Sequence, residues 1–167
     1  MAIKIVFMAL PKGRMEKGVL QLLSEAEVQV IANDVRTYRP YISLPAVDVK
    51  LLKPQNIIEM LEAGSRDFGF AGADWVAELG ADVVELLDTG LNPVRLVAAA
   101  PSSFLEEGKL PQKFLRIASE YERLTKKWIT KNNLNARFIR SYGATESFPS
   151  EDADCIVDNT ATGSTLA

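Results

Sequence analysis

Apolar and polar positions along the first half of the chain form blocks that predict strands and helices in turn. Short apolar runs predict buried strands at residues 3–9, 28–32, 47–52, 67–71, 83–87 and 94–100. Recurrent apolar faces predict helices that begin near Met15, at Pro54 and at residue 73. Pro54 suits the first helical position, and Gly64 suits the end of that helix. The polar stretch 33–45 contains two prolines and is predicted to be a long loop.

The same kind of pattern begins again after Pro101. Its predicted strands and helices are a strand at 114–118, an amphipathic helix at 120–131, a strand at 136–140, a helical turn at 144–148 and a strand at 154–157. Tyr121 and Trp128 belong to the apolar face of that helix, which is typical of packing against a sheet. This alternation favours an α/β fold with largely parallel sheets. We expect a first lobe at residues 1–93 and a second at 94–167.

Length and charge narrow the class of protein. The 167 residues suffice for one domain or two small lobes. No apolar run approaches the ~20 residues that span a bilayer, and the first residues lead directly into a strand pattern without a signal peptide. We therefore expect a cytoplasmic protein that does not enter a membrane. The formal charge of −3 argues against a surface that coats nucleic acid.

The sequence contains no histidine and one cysteine. Catalysis by histidine, Ser-His-Asp triads and most transition-metal sites are thereby excluded. Any chemistry has to come from carboxylates, lysine, arginine, hydroxyls and the backbone. Cys155 lies in the apolar stretch 153–157, which favours a small buried thiol over a catalytic one.

The most informative segment begins where the last predicted strand ends. It consists of Asp158, Asn159, Thr160, Ala161, Thr162, Gly163, Ser164 and Thr165. Small and hydroxylated residues offer closely spaced N–H and O–H donors, which suits a phosphate dianion. Asp158 could accept hydrogen bonds from ribose hydroxyls or hold Mg²⁺ through water. The alternative is a polar turn in which a threonine or serine caps a helix. A Walker A loop is excluded because no Gly-Lys-Ser/Thr occurs at the required spacing.

This segment, taken with four other blocks, resembles the ATP phosphoribosyltransferases, the first enzymes of histidine biosynthesis. The matching blocks occur in the family's order at residues 9–14, 53–57, 67–74, 95–97 and 153–166. The resemblance runs from about residue 3 to residue 166. Asn159 stands where the family usually has an aliphatic residue. Family members also continue beyond the position of Ala167, through a helix and a strand that return to the first lobe, and we expect that segment to be absent here.

The resemblance implies a two-lobed fold like that of periplasmic binding proteins, with the ligand in the cleft. It implies Mg²⁺-dependent transfer of phosphoribosyl from phosphoribosyl pyrophosphate to N1 of ATP, with release of pyrophosphate. It also implies a homo-oligomer. The short form, which depends on a subunit resembling histidyl-tRNA synthetase, is favoured because no regulatory domain is recognised. The alternative function is a non-catalytic module of the same architecture that binds a small molecule.

The resemblance assigns the phosphoribosyl pyrophosphate site to Asp158, Thr160, Ala161, Thr162, Gly163, Ser164 and Thr165. A weaker assignment gives ATP or pyrophosphate to Lys12, Gly13, Arg14 and Asp74. Lys12 and Arg14 follow the first strand, where open α/β sheets bind ligands, but could also form a solvated turn. Asp74 could instead cap its helix. No residue is assigned as a catalytic base.

Further candidates lie outside these blocks. Arg36, Arg39 and Tyr41 in the predicted long loop could contact phosphates or stack on adenine, or could be solvated loop residues. Glu146 lies at a spacing similar to an acidic position of the family, although an exposed helical glutamate is the commoner explanation.

Overall fold

The structure, a computed structural model, describes residues 4–32, 37–149 and 151–161. The chain divides into two compact units, residues 1–92 and 93–167. In the part of the chain that is described, no helix is both long and apolar enough to cross a membrane.

The described residues of the first unit form a three-stranded parallel sheet and three helices. Its elements are β1 (Val6–Pro11), α1 (Glu16–Glu25), β2 (Val30–Ile31), β3 (Tyr41–Ile42), β4 (Val47–Leu52), α2 (Pro54–Glu62), β5 (Phe68–Gly69) and α3 (Ala73–Leu79). The strand order is β4-β1-β5, and β2 and β3 form a separate antiparallel pair.

The buried apolar residues of β1 and β4 form the core of this unit. Met8 and Leu10 of β1 pack with Val49 and Leu51 of β4 and with Val19 of α1. Burying a side chain of this size contributes about 1.5–3 kcal/mol each. The edge at which β1 and β4 end is therefore firmly placed.

The second unit is built on a four-stranded sheet. Its elements are β6 (Arg95–Ala99), a 3₁₀ turn (Ser102–Phe104), β7 (Leu115–Ser119), α4 (Glu122–Lys131), β8 (Ala136–Arg140), a 3₁₀ turn (Thr145–Ser147) and β9 (Cys155–Thr160). The strand order is β6-β9-β7-β8. β7 runs parallel to both β8 and β9, whereas β6 is antiparallel to β9.

The two faces of this sheet have separate cores. Cys155 and Val157 of β9 share a cluster with Trp128 and Ile129, so α4 covers one face. Ile156 belongs to a second cluster with Phe148, next to the 3₁₀ turn. The predicted apolar face of α4 is thus a packing surface.

The α/β class with mostly parallel sheets is confirmed, but several predicted elements are wrong. Residues 83–87 form no strand, because no described strand lies beside them, and Leu86 is 82% exposed. The predicted loop 33–45 contains β3, which pairs with β2. The last strand does not end at Val157 but extends to Thr160, because β6 continues to pair with it.

Candidate functional site

In the second unit, candidate residues lie where three parallel strands end. β7 ends at Ser119, β8 at Arg140 and β9 at Thr160. Parallel strands bring their carboxyl ends to the same edge of a sheet, which is where ligands bind in open α/β folds. Asp158 therefore lies near this edge, inside β9 instead of after it.

The structure describes residues 158–161 of the predicted phosphate segment, which include the assigned site residues Asp158, Thr160 and Ala161. Oδ1 of Asp158 accepts a hydrogen bond from the backbone N–H of Asn159 at 2.7 Å. Thr160 is buried and Ala161 is exposed immediately after the strand. The remaining residues of that prediction, Thr162, Gly163, Ser164 and Thr165, lie outside the described residues.

Sequence reasoning missed a hydrogen-bonded group beside Asp158. Nδ2 of Asn159 donates to the Tyr121 hydroxyl at 2.6 Å, although the two residues are 38 positions apart. Oγ of Ser119 donates to the Val157 carbonyl at 2.5 Å and accepts from the Tyr121 N–H at 2.9 Å. The sequence carried one signal for it, because a buried tyrosine hydroxyl usually has a partner.

A second buried polar pair lies beyond the end of β8. The hydroxyls of Ser141 and Thr145 are 2.7 Å apart, and both residues are about 2% exposed. This pair links the end of β8 to the 3₁₀ turn that carries Glu146. Glu146 itself is exposed.

In the first unit, the candidate cations follow β1. The Lys12 N–H donates to the Leu52 carbonyl at 2.8 Å, which ties the loop to the end of β4. Gly13 has φ of +89°, a conformation that glycine adopts without strain, and its N–H donates to Glu16 at 3.2 Å. The Lys12 ammonium lies 4.0 Å from the centre of the Tyr38 ring. Arg14 is exposed in the same loop.

Asp74 lies in the first turn of α3, after β5. The register Ala9 to Gly69 places the ends of β1 and β5 side by side, so the Lys12 loop and the start of α3 share one edge of the sheet. The Asp74 carboxylate folds back over Gly72, where a Cβ atom would lie 2.2 Å from Oδ1. Only glycine at position 72 leaves room for this conformation.

The other loop candidates occupy different surroundings. Arg39 pairs with Asp48 at 2.8 Å, and the same carboxylate accepts from Arg66 at 3.1 Å. Asp48 lies opposite Phe7 near the beginning of β1 and β4, away from the edge that carries Lys12. Tyr41 is exposed on β3. Arg36 lies outside the described residues.

Among the titratable groups of the second unit, the pKa values of Asp154 and Cys155 are shifted by their surroundings. Burial raises the pKa of Asp154, but the hydrogen bonds donated by the side chain and N–H of Arg116 outweigh this effect and hold that pKa below its ordinary value. Burial raises the pKa of Cys155 to about 11. The prediction of a small buried thiol is confirmed by its 1% exposure.

Comparisons with known proteins agree on one family. Residues 53–167 match the family HisG, ATP phosphoribosyltransferase. Among curated relatives, the ATP phosphoribosyltransferase of Prosthecochloris aestuarii is 36% identical over 168 residues, covering 98% of this chain and 57% of the relative. That of Metallosphaera sedula is 35% identical over 157 residues, covering 93% of this chain and 55% of the relative. The chain thus spans about half the length of the curated relatives it matches.

A solved structure gives the same result for the fold. The chain is 26% identical to a chain of the ATP phosphoribosyl transferase (HisG:HisZ) complex from Thermotoga maritima, with a TM-score of 0.81. The match covers 97% of this chain and 77% of that chain. The predicted fold class, α/β of the periplasmic-binding-protein type, is confirmed. The chain belongs to the ATP phosphoribosyltransferase family, HisG.

Proposed function

We propose that this chain transfers phosphoribosyl from phosphoribosyl pyrophosphate to N1 of ATP, the first step of histidine biosynthesis. The observation that carries the proposal is the family match over residues 53–167, which includes the whole predicted phosphate segment 158–165. The end of β9 supports it, because Asp158 lies near the carboxyl edge of a sheet whose central strands are parallel.

The chemistry suits a site without histidine. As pyrophosphate leaves, the C1 carbon of the sugar becomes positively charged and the leaving group carries several negative charges. Catalysis then depends mainly on positioning the reactants and stabilising charge. We assign Asp158 and residues 160–165 to the ribose 5-phosphate and its hydroxyls.

We assign the loop after β1 to the phosphates of ATP or to pyrophosphate. Lys12, Gly13 and Arg14 would bind the phosphates of ATP or the departing pyrophosphate, because two cations flank a glycine there. Asp74 shares that edge of the sheet and would contact the same ligand. The Tyr38 ring beside Lys12 limits the directions in which the ammonium can lie.

Mg²⁺ is proposed as the cofactor. Within the described ranges, no group of three or more histidine, cysteine, aspartate or glutamate side chains could hold a metal ion. Mg²⁺ often keeps several waters and binds one or two carboxylates together with substrate phosphates. A single carboxylate such as Asp158 fits this kind of site, with the phosphates supplying the remaining ligands. The ion would supply charge neutralisation for pyrophosphate.

We propose that the protein is a homo-oligomer of the short form, which works with a subunit resembling histidyl-tRNA synthetase. The Thermotoga maritima relative supports this proposal, because its structure is a HisG:HisZ complex. A non-catalytic binding module is not favoured, because the chain matches relatives named as transferases.

Calorimetric titration tests the substrate. We expect phosphoribosyl pyrophosphate with Mg²⁺ to bind the wild-type chain, and Asp158→Ala and Thr162→Ala each to weaken binding at least tenfold, because each removes a contact with the sugar phosphate. Asp152→Ala is the matched control, because Asp152 is an exposed aspartate of the same unit. Normal binding by both loop variants would refute the assignment. Tight binding of an unphosphorylated metabolite, with no heat from the sugar pyrophosphate, would favour the binding module.

A further inference from the structure

We infer that Tyr121 and Asn159 are positioning residues that fix the direction of Asp158 and Thr160 at the phosphoribosyl pyrophosphate site. This inference rests on the proposed function. Neither side chain belongs to the set assigned to the substrate. Their hydrogen bond, Asn159 Nδ2 to the Tyr121 hydroxyl at 2.6 Å, joins the end of β9 to the residue before α4.

The contact is part of a closed set of hydrogen bonds. Ser119 Oγ holds the Val157 carbonyl at 2.5 Å and the Tyr121 N–H at 2.9 Å. Tyr121 then reaches β9 a second time, two residues further along, through its hydroxyl. The connection between β7 and α4 is therefore attached to β9 at two points, on either side of Asp158.

Because side chains alternate along β9, this attachment restricts the direction of the Asp158 side chain. Neighbouring residues of a strand point to opposite faces. Val157 packs in the cluster beneath α4, so Asn159 also lies on that face and Asp158 and Thr160 lie on the other. Fixing the Asn159 side chain limits rotation of the strand end about its axis, and so limits the directions open to the Asp158 carboxylate.

Burial makes the loss of the hydrogen bond between Tyr121 and Asn159 costly. Tyr121 is 0% exposed, and Asn159 is partly buried. A buried polar group that loses its partner costs more than the hydrogen bond itself, because water cannot replace the partner. Removing either side of the pair should therefore loosen the strand end that carries Asp158.

The test compares Tyr121→Phe, Asn159→Leu and the double variant in the full chain. We expect each single variant to raise the Kd for phosphoribosyl pyrophosphate with Mg²⁺ about fivefold to tenfold. The double variant should lose no more affinity than the weaker-binding single variant, because both substitutions remove the same hydrogen bond. ATP binding, assigned to the first unit, should not change. Amide exchange at residues 158–161 of the free protein should accelerate in each single variant.

Tyr142→Phe is the matched control, because Tyr142 is a tyrosine of the same unit that is 91% exposed. It should leave substrate affinity and amide exchange unchanged. If the wild type binds normally and both single variants keep the wild-type Kd, the positioning role alone is overturned. Equal loss of ATP and sugar pyrophosphate binding would also overturn it, since that indicates general destabilisation. Absence of sugar pyrophosphate binding by the wild type would overturn the proposed function, and the positioning role with it.

Discussion

Burial decides the chemistry of Cys155. The residue is 1% exposed, and burial raises the pKa of its thiol to about 11. Since the thiolate is the reactive form, we expect no alkylation of the folded protein by iodoacetamide at pH 8 within an hour, and complete alkylation in denaturant. Mass spectrometry measures both. Rapid labelling of the folded chain would contradict this account.

Gly69 is required by a close approach of two strands. A Cβ atom at this position would lie 2.8 Å from the Ala9 carbonyl oxygen and 3.0 Å from Ile57. We expect Gly69→Ala to lower the free energy of unfolding by about 1–3 kcal/mol, because β1 and β5 would have to separate. Urea unfolding measures the loss.

Gly18, within α1, is the matched control for this substitution. Its added Cβ would meet only side-chain atoms, the nearest being Asn92 Nδ2 at 3.3 Å. Alanine also favours helix over glycine, which offsets a small rearrangement. Gly18→Ala should remain within about 0.5 kcal/mol of the wild type. Equal losses for the two variants would show that strand spacing is not the cause.

The elements differ in how far the sequence determines them. β4 has the predicted bounds and α3 begins at the predicted residue, because the apolar pattern and the flanking Pro54 act locally. The predicted strand 83–87 is absent from the described sheets, because a strand also needs a partner that its own sequence does not specify. The contact of Asn159 with Tyr121 was unpredictable for the same reason, because it joins residues 38 positions apart.

The ion pair that joins β7 to the residue before β9 should make stability depend on pH. Arg116 Nη2 lies 3.3 Å from Asp154 Oδ1, and the Arg116 N–H donates to Oδ2 at 2.7 Å. These bonds lower the pKa of Asp154 below the ordinary 3.8 of the unfolded chain, despite the opposing effect of burial. The stabilisation is therefore present above that value and is lost as pH falls through the folded pKa.

Asp154→Asn tests this dependence. We expect about 1 kcal/mol less stability at pH 7, because the ionic component of a partly exposed pair is modest. The difference from the wild type should shrink as the pH is lowered below about 3.8, where the native carboxyl also becomes neutral. Urea unfolding at several pH values measures it, with Asp152→Asn as the exposed control. A difference independent of pH would contradict the assignment.

Residues 84–88 are exposed, and a matched pair of leucines can test this exposure. Leu86 is 82% exposed, whereas Leu51 of β4 is 5% exposed. Leu51→Ala should cost about 2–5 kcal/mol of unfolding free energy, and Leu86→Ala less than about 0.5 kcal/mol. A large cost for Leu86→Ala would mean that another surface covers this side chain in solution.

At the scale of the whole molecule, each unit brings its candidate residues to the carboxyl edge of its own sheet. Lys12 and Asp74 lie at this edge in the first unit, and Asp158 lies near it in the second. This arrangement could be predicted, because the order of strands and helices already favoured parallel sheets and placed charged residues after strands. The polar contacts that hold those residues could not be predicted from the sequence, because they depend on side chains from distant parts of the chain.

The metal-binding side chains that the chain offers predict how Mg²⁺ binds. Histidine is absent from the sequence, and the described residues contain no group of three or more metal-binding side chains that could hold an ion. Mg²⁺ should therefore bind the protein through substrate phosphates, as it does where few carboxylates are available. We expect calorimetry with MgCl₂ alone to show no binding at millimolar concentration, and removal of Mg²⁺ by EDTA to weaken binding of phosphoribosyl pyrophosphate at least tenfold. Micromolar binding of Mg²⁺ to the free chain would instead require a protein-built metal site, and substrate affinity unaffected by EDTA would exclude the ion from substrate binding.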